Sequence, residues 1–260
     1  MREDAGVDRE RDSEATAVFE LSAVADLRRR SAGATELSPP LTEGWSRDAP
    51  DPERLLAVFD ALWLRDGYRL RAYQYVAGGN GNAVVYALPA DAPIREPDEC
   101  GSGSVSPVPG VVLATPRPPE ALDDLMEAIE GDRSPWSYLC ASLFAREAQE
   151  LGALWHGRSW SDTAVLGADP WGENPNATPP QTDYDRPGTP RSEWQWTAAE
   201  PEEWRPQVRL GEDGIEVSFV TFAAIGRESL WRHVDRYRPT GYTFTEAGYE
   251  LGVGGGGFIY

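Results

Sequence analysis

The sequence predicts an α+β fold, with helices packed on a mixed or antiparallel sheet built from two β-hairpins at about 68–88 and 205–222. Three observations predict it: two alternating apolar and polar segments interrupted by glycine-rich turns, about four segments with helical spacing, and a hydrophobic content of 40%. We therefore expect a single domain over 16–260. Residues 1–15 are charged and poor in apolar side chains, and we expect this acidic N-terminus to be disordered.

The first hairpin is the clearest element of the sequence. Tyr68, Leu70 and Ala72 alternate with other side chains, and a second apolar run spans 84–86. The glycines and asparagines at 78–82 supply the positive φ angles that a tight turn needs. A phosphate-binding loop is the alternative for this glycine-rich segment, but such a loop opens a helix, and the residues that follow it here favour a strand.

The remaining elements follow from apolar spacing and turn residues. The second hairpin has its turn at 211–214. Helical spacing predicts four helices, over 51–66, 118–131, 134–155 and 226–237. A further short amphipathic helix is predicted over 16–30. Four tryptophans occupy positions on these helices that suit a core: Trp63, Trp136, Trp155 and Trp231. Short strands are predicted at 111–113, 157–167 and 249–260.

A long segment at about 167–203 has seven prolines and little hydrophobic periodicity. A loop of this length in a compact domain is typically functional or disordered. It carries Trp171, Trp194 and Trp196, and an indole in an irregular segment either folds back onto the domain or binds a partner. These three tryptophans are our candidate residues for a protein interaction.

The charge distribution excludes several function classes. All 24 basic residues are arginines, against 43 acidic residues, so the chain has a net charge of −19 and no lysine for a Schiff base or a phosphate loop. The negative charge is spread over the whole chain, which disfavours direct nucleic-acid binding because phosphates need a basic patch. This composition resembles that of proteins from salt-in halophiles. A GC-rich genome would explain arginine in place of lysine, but not the excess of acids.

The sequence offers little for a metal or a cofactor. Cys100 and Cys140 lie in different contexts, and with two histidines far apart they form neither a disulfide framework nor a zinc motif. We expect no metal and no cofactor. The start of the chain lacks a secretory signal, and no apolar run is long enough to span a membrane, so we expect a cytoplasmic protein without membrane association.

The two histidines limit the candidates for acid–base chemistry. His156 lies close in sequence to Ser159, Ser161 and Asp162, at a predicted junction of helix and strand, and could serve as a general base oriented by Asp162 for a serine nucleophile. No nucleophile-elbow motif accompanies these residues. His233 is predicted on the solvated face of the helix at 226–237, where arginines neighbour it.

Three function classes therefore stay open, and the absence of a strong catalytic motif favours the non-enzymatic ones. The first hypothesis is a protein-interaction or regulatory protein of a salt-adapted cell that recognises a protein partner through the tryptophan-bearing loop. The second is a small hydrolase or transferase that uses His156. The third is a structural subunit of a larger assembly, which assembly state would separate from the first.

Overall fold

The computed structural model describes residues 15–37, 41–103, 114–155, 158–172 and 186–258. Three α-helices lie in this part of the chain: α1 (Leu21–Ala34), α2 (Pro52–Leu56) and α3 (Pro135–Gln149). The first eight strands are β1 (Ala15–Val18), β2 (Gly44–Ser46), β3 (Leu62–Leu64), β4 (Tyr68–Ala77), β5 (Asn80–Pro89), β6 (Gly101–Gly103), β7 (Thr115–Arg117) and β8 (Ile129–Gly131). The remaining strands are β9 (Thr163–Val165), β10 (Gln195–Trp196), β11 (Gln207–Gly211), β12 (Gly214–Ala223), β13 (Ser229–Tyr237), β14 (Phe244–Glu246) and β15 (Tyr249–Val253).

The strands form one large sheet and three small ones. The eight-stranded sheet runs in the order β1-β11-β12-β13-β15-β10, with β14 added to β13 and β9 added to β12. The smaller sheets are β2-β4-β5, β3-β8 and β6-β7, and every pairing between these named strands is antiparallel. The chain is thus of the α+β type, with antiparallel sheets and few helices.

The predicted arrangement of hairpins and helices differs from the structure in two ways. The antiparallel pairs β4-β5 and β11-β12 belong to separate sheets rather than to one. In addition, the described residues contain three α-helices and several short 3₁₀ helices, which does not match the predicted set. A predicted strand at 111–113 and the predicted disorder at 1–14 lie outside the described residues.

The segment 226–237 is the largest error in the predicted secondary structure. Its apolar residues Leu230, Val234 and Tyr237 are spaced as on a helix, yet the segment is strand β13. It pairs along nine residues with β12 on one side and with β15 on the other. These long-range hydrogen bonds outweigh the local preference, because a strand placed between two others satisfies its backbone on both sides.

Other predicted helices are shorter or absent for the same reason. The helix after Asp51 ends at Leu56, and Leu62–Leu64 pairs with Ile129–Gly131 as β3 and β8. The predicted helix at 118–131 is reduced to a 3₁₀ turn before β8. As a result, three of the four tryptophans assigned to helices are exposed: Trp63, Trp155 and Trp231.

Helix α3 is the centre of the main hydrophobic core. Ser134 caps it by accepting a hydrogen bond from the Ser137 amide, and Pro135 occupies its first turn. Every residue from Ser137 to Ala148 is buried, since the helix contacts β5, β11 and β12 as well as α2. A helix that is buried all round lies inside a core rather than on its surface.

The large sheet buries both of its faces. Along β12, Val217 and Phe219 contribute to the main core around α3, whereas Val220 and Phe222 point to a second apolar cluster on the opposite face. Tryptophans from the segment 167–204 cover this second face. The described parts of the proline-rich segment, 167–172 and 186–203, thus cover this face of the sheet.

Candidate ligand-binding cleft

A cleft of about 760 Å³ lies between α1, the C-terminal end of α3 and β9. Its wall is largely apolar, and the following side chains are representative: Leu21, Val24, Ala25, Leu154, Val165 and Leu166. This volume falls in the range of about 300–1,000 Å³ that is typical of small-molecule sites. The cleft is therefore large enough for an organic ligand.

Helix α1 faces the cleft because of the spacing of its residues. Leu21, Ala25 and Arg28 follow one stripe of the helix and line the cleft. The neighbouring stripe, with Val24 and Leu27, is buried in the main core, and Val24 also contributes to the wall of the cleft. The helix thus packs on the core with one stripe and forms a wall of the cleft with the next.

The charges around the cleft differ from those of the chain as a whole. The whole chain carries 43 acidic residues against 24 arginines. The lining of the cleft includes four arginines and three glutamates: Arg28, Arg29, Arg158, Arg186, Glu36, Glu147 and Glu150. Basic side chains are therefore concentrated at a site whose surroundings are acidic. The formal charge of the lining is +1, and three of its arginines have acidic partners: Arg28 with Glu147, Arg29 with Asp26 and Arg158 with Asp162.

Arg28 is held rigidly at the base of the cleft. Its Nε donates to Glu147 Oε1 at 3.3 Å, and its two terminal nitrogens donate to the carbonyls of Thr163 at 2.5 Å and Trp160 at 2.8 Å. The guanidinium also lies 4.5 Å from the centre of the Trp160 ring. Each nitrogen of the guanidinium group thus has a partner. Since Glu147 lies in α3 and Thr163 in β9, Arg28 connects α1 to both elements.

Glu147 is a buried carboxyl group that lines the cleft. The residue is 8% exposed, and its Oε1 accepts hydrogen bonds from Arg28 and from Trp160 Nε1, the latter at 2.9 Å. No residue in the described part of the chain donates to its Oε2. Burial raises the pKa of Glu147, and the nearby Arg28 opposes this shift.

Glu150 organises the loop that carries the predicted serines. Its Oε1 accepts from the amide and hydroxyl of Ser159 at 2.6 and 2.7 Å, and its Oε2 accepts from the amide and hydroxyl of Ser161, both at 2.7 Å. The Trp160 amide also donates to Oε1. One carboxylate therefore satisfies three successive backbone amides, and both hydroxyl protons point towards it.

The other members of the predicted catalytic group lie apart from this carboxylate. Asp162 forms a long ion pair with Arg158, at 3.7 Å between Oδ1 and a guanidinium nitrogen, and burial raises its pKa. His156 lies outside the described residues. The structure thus brings Ser159 and Ser161 together through Glu150, and the contacts that it shows for them are those of a loop-stabilising carboxylate.

His233 lies on a strand inside the protein, and the prediction of a solvated helix face is wrong. Its Nε2 is 3.0 Å from Thr221 Oγ1, its Nδ1 is 3.4 Å from a terminal nitrogen of Arg146, and its ring stacks on Phe219 at 4.8 Å. Burial and the Arg146 charge lower the pKa of His233 to about 3. The imidazole is therefore neutral at physiological pH, and it packs against Phe219 and Thr221 inside the protein.

The three candidate interaction residues form an aromatic cluster on the second face of the large sheet. The ring centre of Trp171 lies 5.1 Å from that of Trp194 and 5.9 Å from that of Trp196. The indole nitrogens of Trp171 and Trp194 both donate to the carbonyl of Thr189. Trp194 is 6% exposed, whereas Trp171 and Trp196 are half-buried. These indoles fold back onto the domain.

A buried carboxylate that the sequence did not single out fixes the glycine run near the end of the chain. Glu228 accepts hydrogen bonds from the amides of Gly188 and Thr189, at 2.6 and 3.2 Å. A Cβ atom at Gly254 or Gly256 would lie within 3.0 Å of this carboxylate. The glycines are therefore required by close packing against Glu228 and not by a ligand.

The described residues contain no group of three histidine, cysteine, aspartate or glutamate side chains placed to hold a metal ion. Cys100 and Cys140 are free thiols there. No helix in the same part of the chain has the length and apolar content needed to cross a membrane.

The sequence does not indicate that Arg28, Glu147 and Glu150 belong to one site. Arg28 lies near the end of the predicted helix over 16–30, and both glutamates lie in the predicted helix over 134–155. One signal was available, because Glu147 lies within a helical run whose neighbours are mostly apolar. A carboxylate on the buried face of a helix requires a partner.

The arrangement combines an apolar wall, arginines around it and a buried carboxyl group whose Oε2 has no donor among the described residues. Such a site can recognise a molecule by shape and by a few polar contacts, and it does not assemble a nucleophile with a base among the described residues. Comparisons of the chain with protein-family models, with curated proteins and with solved structures gave no match.

Proposed function

We propose that the protein binds a small amphipathic organic anion in the cleft between α1, α3 and β9, without catalysing its conversion. The observation that carries this proposal is the concentration of four arginines around a largely apolar wall, in a chain with a net charge of −19. The described lining has a formal charge of +1, whereas the whole chain has −19, so an anion is favoured at the cleft over an average part of the surface.

The two parts of the cleft have different roles in this proposal. The apolar side chains of α1 and β9 contribute affinity by removing the hydrocarbon part of a ligand from water, at roughly 25 cal/mol per Å². Arg158 and Arg186 are exposed, and a guanidinium group can donate two parallel hydrogen bonds to a carboxylate or phosphate. Arg28 does not contact the ligand in this proposal, because it donates to Glu147, Thr163 and Trp160 and thereby holds α1 against α3 and β9.

Calorimetric titration with three probes of equal chain length tests the proposal: octanoate, octylammonium and 1-octanol. We expect octanoate to bind most tightly. Ala25→Trp, which fills the cleft from α1, abolishes the binding, whereas Ala23→Trp on the exposed side of the same helix leaves it unchanged. Equal binding of octylammonium, or octanoate binding that survives in Ala25→Trp, would overturn the proposal.

A protein interaction through Trp171, Trp194 and Trp196 is a second proposal. It is supported by the partial exposure of Trp171 and Trp196, and by the position of β10 at the end of the large sheet, where a further strand can pair. The simplest partner is a second copy of this chain. Light scattering tests it: a dimer that Trp196→Ser converts to the monomer mass of 28.6 kDa supports the proposal, and a monomer for both proteins contradicts it.

A further inference from the structure

Glu147 lines the cleft, and its Oε2 accepts no hydrogen bond from the described residues. The Glu147 side chain is 10% exposed and lies near the end of α3, surrounded by residues of the core. The two hydrogen-bond donors that the described residues offer to this carboxyl group, Arg28 and Trp160, both bond to Oε1. Oε2 is not one of the fully enclosed polar atoms that lack a partner in the described part of the chain, so water or a ligand in the cleft can reach it and donate to it.

The neighbouring polar groups in the cleft have no such vacancy. Both oxygens of Glu150 accept from the loop at 159–161. The three nitrogens of Arg28 donate to Glu147, Thr163 and Trp160. Within the described lining, the deep polar end of the cleft therefore presents an acceptor to an incoming ligand.

We propose that Glu147 Oε2 accepts a hydrogen bond from a hydroxyl group of the ligand, so that the ligand is a hydroxylated organic acid. The hydroxyl lies on the apolar part, and the acid group lies at the arginines. The inference rests on the proposed function, since it names the class of anion that the same cleft binds.

The charges near Glu147 favour a hydroxyl group over an ammonium group as the donor. Arg28 already places a cation 3.3 Å from the carboxyl group, and a second cation beside it would be repelled. A neutral hydroxyl avoids this repulsion and still forms a charge-assisted hydrogen bond.

The test compares two series of probes, unsubstituted straight-chain carboxylic acids and their ω-hydroxy derivatives, with about six to twelve carbons. Chain length is varied so that one member spans the distance from the arginines to Glu147. At that length, we expect the hydroxy acid to bind the wild-type protein about tenfold more tightly, as a hydrogen bond to a charged group provides. This comparison needs no variant.

Two variants locate the effect at Glu147. Glu147→Leu is expected to remove the preference for the hydroxy acid while keeping affinity for the unsubstituted acid of the same length. Glu147→Gln retains an acceptor for Trp160 and for the ligand, so it is expected to keep part of the preference for the hydroxy acid. This second variant keeps the test valid if Glu147→Leu does not fold. The preference should not change in Ala23→Trp, which lies outside the cleft.

The outcomes separate this inference from the proposed function. If the unsubstituted acids bind but no chain length shows a preference for the hydroxyl group, water occupies the position beside Glu147 and the inference is overturned. A preference that persists unchanged in Glu147→Leu overturns it as well. If neither series binds, the proposed function itself fails, and the inference fails with it.

Discussion

Arg146 and Asp235 form a buried two-point ion pair that joins α3 to β13, with nitrogen–oxygen distances of 2.7 and 2.9 Å. The side chain of Asp235 is 0% exposed and that of Arg146 is 7% exposed. Arg146 also donates to the carbonyl of Ser142, and its guanidinium lies 5.1 Å from the centre of the Phe219 ring. The pair fixes the central helix to the middle of the large sheet.

We expect Asp235→Ala to lower the free energy of unfolding by about 3 kcal/mol, because it leaves the buried Arg146 charge with only the half-exposed Glu246 carboxylate, at 3.3 Å, and the Ser142 carbonyl as partners. Chemical denaturation measures the change. As a matched control, Glu216→Ala removes a partner of the solvent-exposed Arg236 from the same sheet, and its cost should be below about 1 kcal/mol. Equal costs for the two variants would show that burial of the Arg146–Asp235 pair has no energetic consequence.

The neutral state of His233 predicts a defined pH dependence of stability. The folded pKa of about 3 lies below the ordinary value of 6.5. The unfolded chain therefore binds more protons between these two values, and the stability contribution of His233 is complete above pH 6.5 and lost as the pH falls towards 3.

His233→Gln removes this contribution and isolates it from other titrating groups. The free energy of unfolding of the wild-type protein minus that of the variant should fall between about pH 7 and about pH 4, by up to ~1.4 kcal/mol per pH unit. Denaturation of both proteins at several pH values measures the slope. A difference that does not change with pH would contradict a neutral, buried His233 in the folded state.

Elements with strong local signals could be predicted from the sequence. The alternation and the glycines around Gly78 are properties of adjacent residues, and so are Ser134 and Pro135, which start α3. Strand β13 could not be predicted in this way, because Leu230 and Val234 fit a helix equally well. Its state depends on pairing with β12 and β15, which the local sequence does not encode.

The candidate site was harder to predict than the fold. Arg28 and Glu147 are 119 residues apart in the sequence, and nothing local to either residue indicates the other. Ser159 and Ser161 are close to His156 in the sequence, which suggests a catalytic group. In the structure, both hydroxyls donate to Glu150. Spacing along the chain indicates which groups are available, but their partners depend on how α1, α3 and β9 meet.

The packing of Glu228 against the glycine run leads to a prediction about two adjacent glycines. A Cβ at Gly254 would lie 2.5 Å from Glu228 Oε2 and 3.0 Å from the Trp194 ring, whereas a Cβ at Gly255 would meet nothing within 4 Å. We expect Gly254→Ala to destabilise the protein by about 1–3 kcal/mol through overpacking. Gly255→Ala is the control and should have little effect. Thermal unfolding of both variants checks this, and equal stability would contradict the close packing.

The acidic composition predicts that salt stabilises the protein. A net charge of −19 spread over the chain creates repulsion in the compact state. Raising KCl from about 0.1 M to about 1 M shortens the Debye length from roughly 10 Å to roughly 3 Å, which screens this repulsion. Buried pairs such as Arg146–Asp235 are screened much less. We expect a gain of about 1 kcal/mol, or roughly 2–4 °C in Tm for a chain of this size.

A variant with less charge separates this electrostatic effect from a general effect of salt on apolar burial. Replacing the exposed Glu193, Glu202 and Glu212 by glutamine reduces the net charge and leaves the core intact. The gain in Tm on adding KCl should be smaller in this variant than in the wild-type protein. An equal gain in both would mean that salt acts through the hydrophobic surface, and the acidic surface would then have no role in stability.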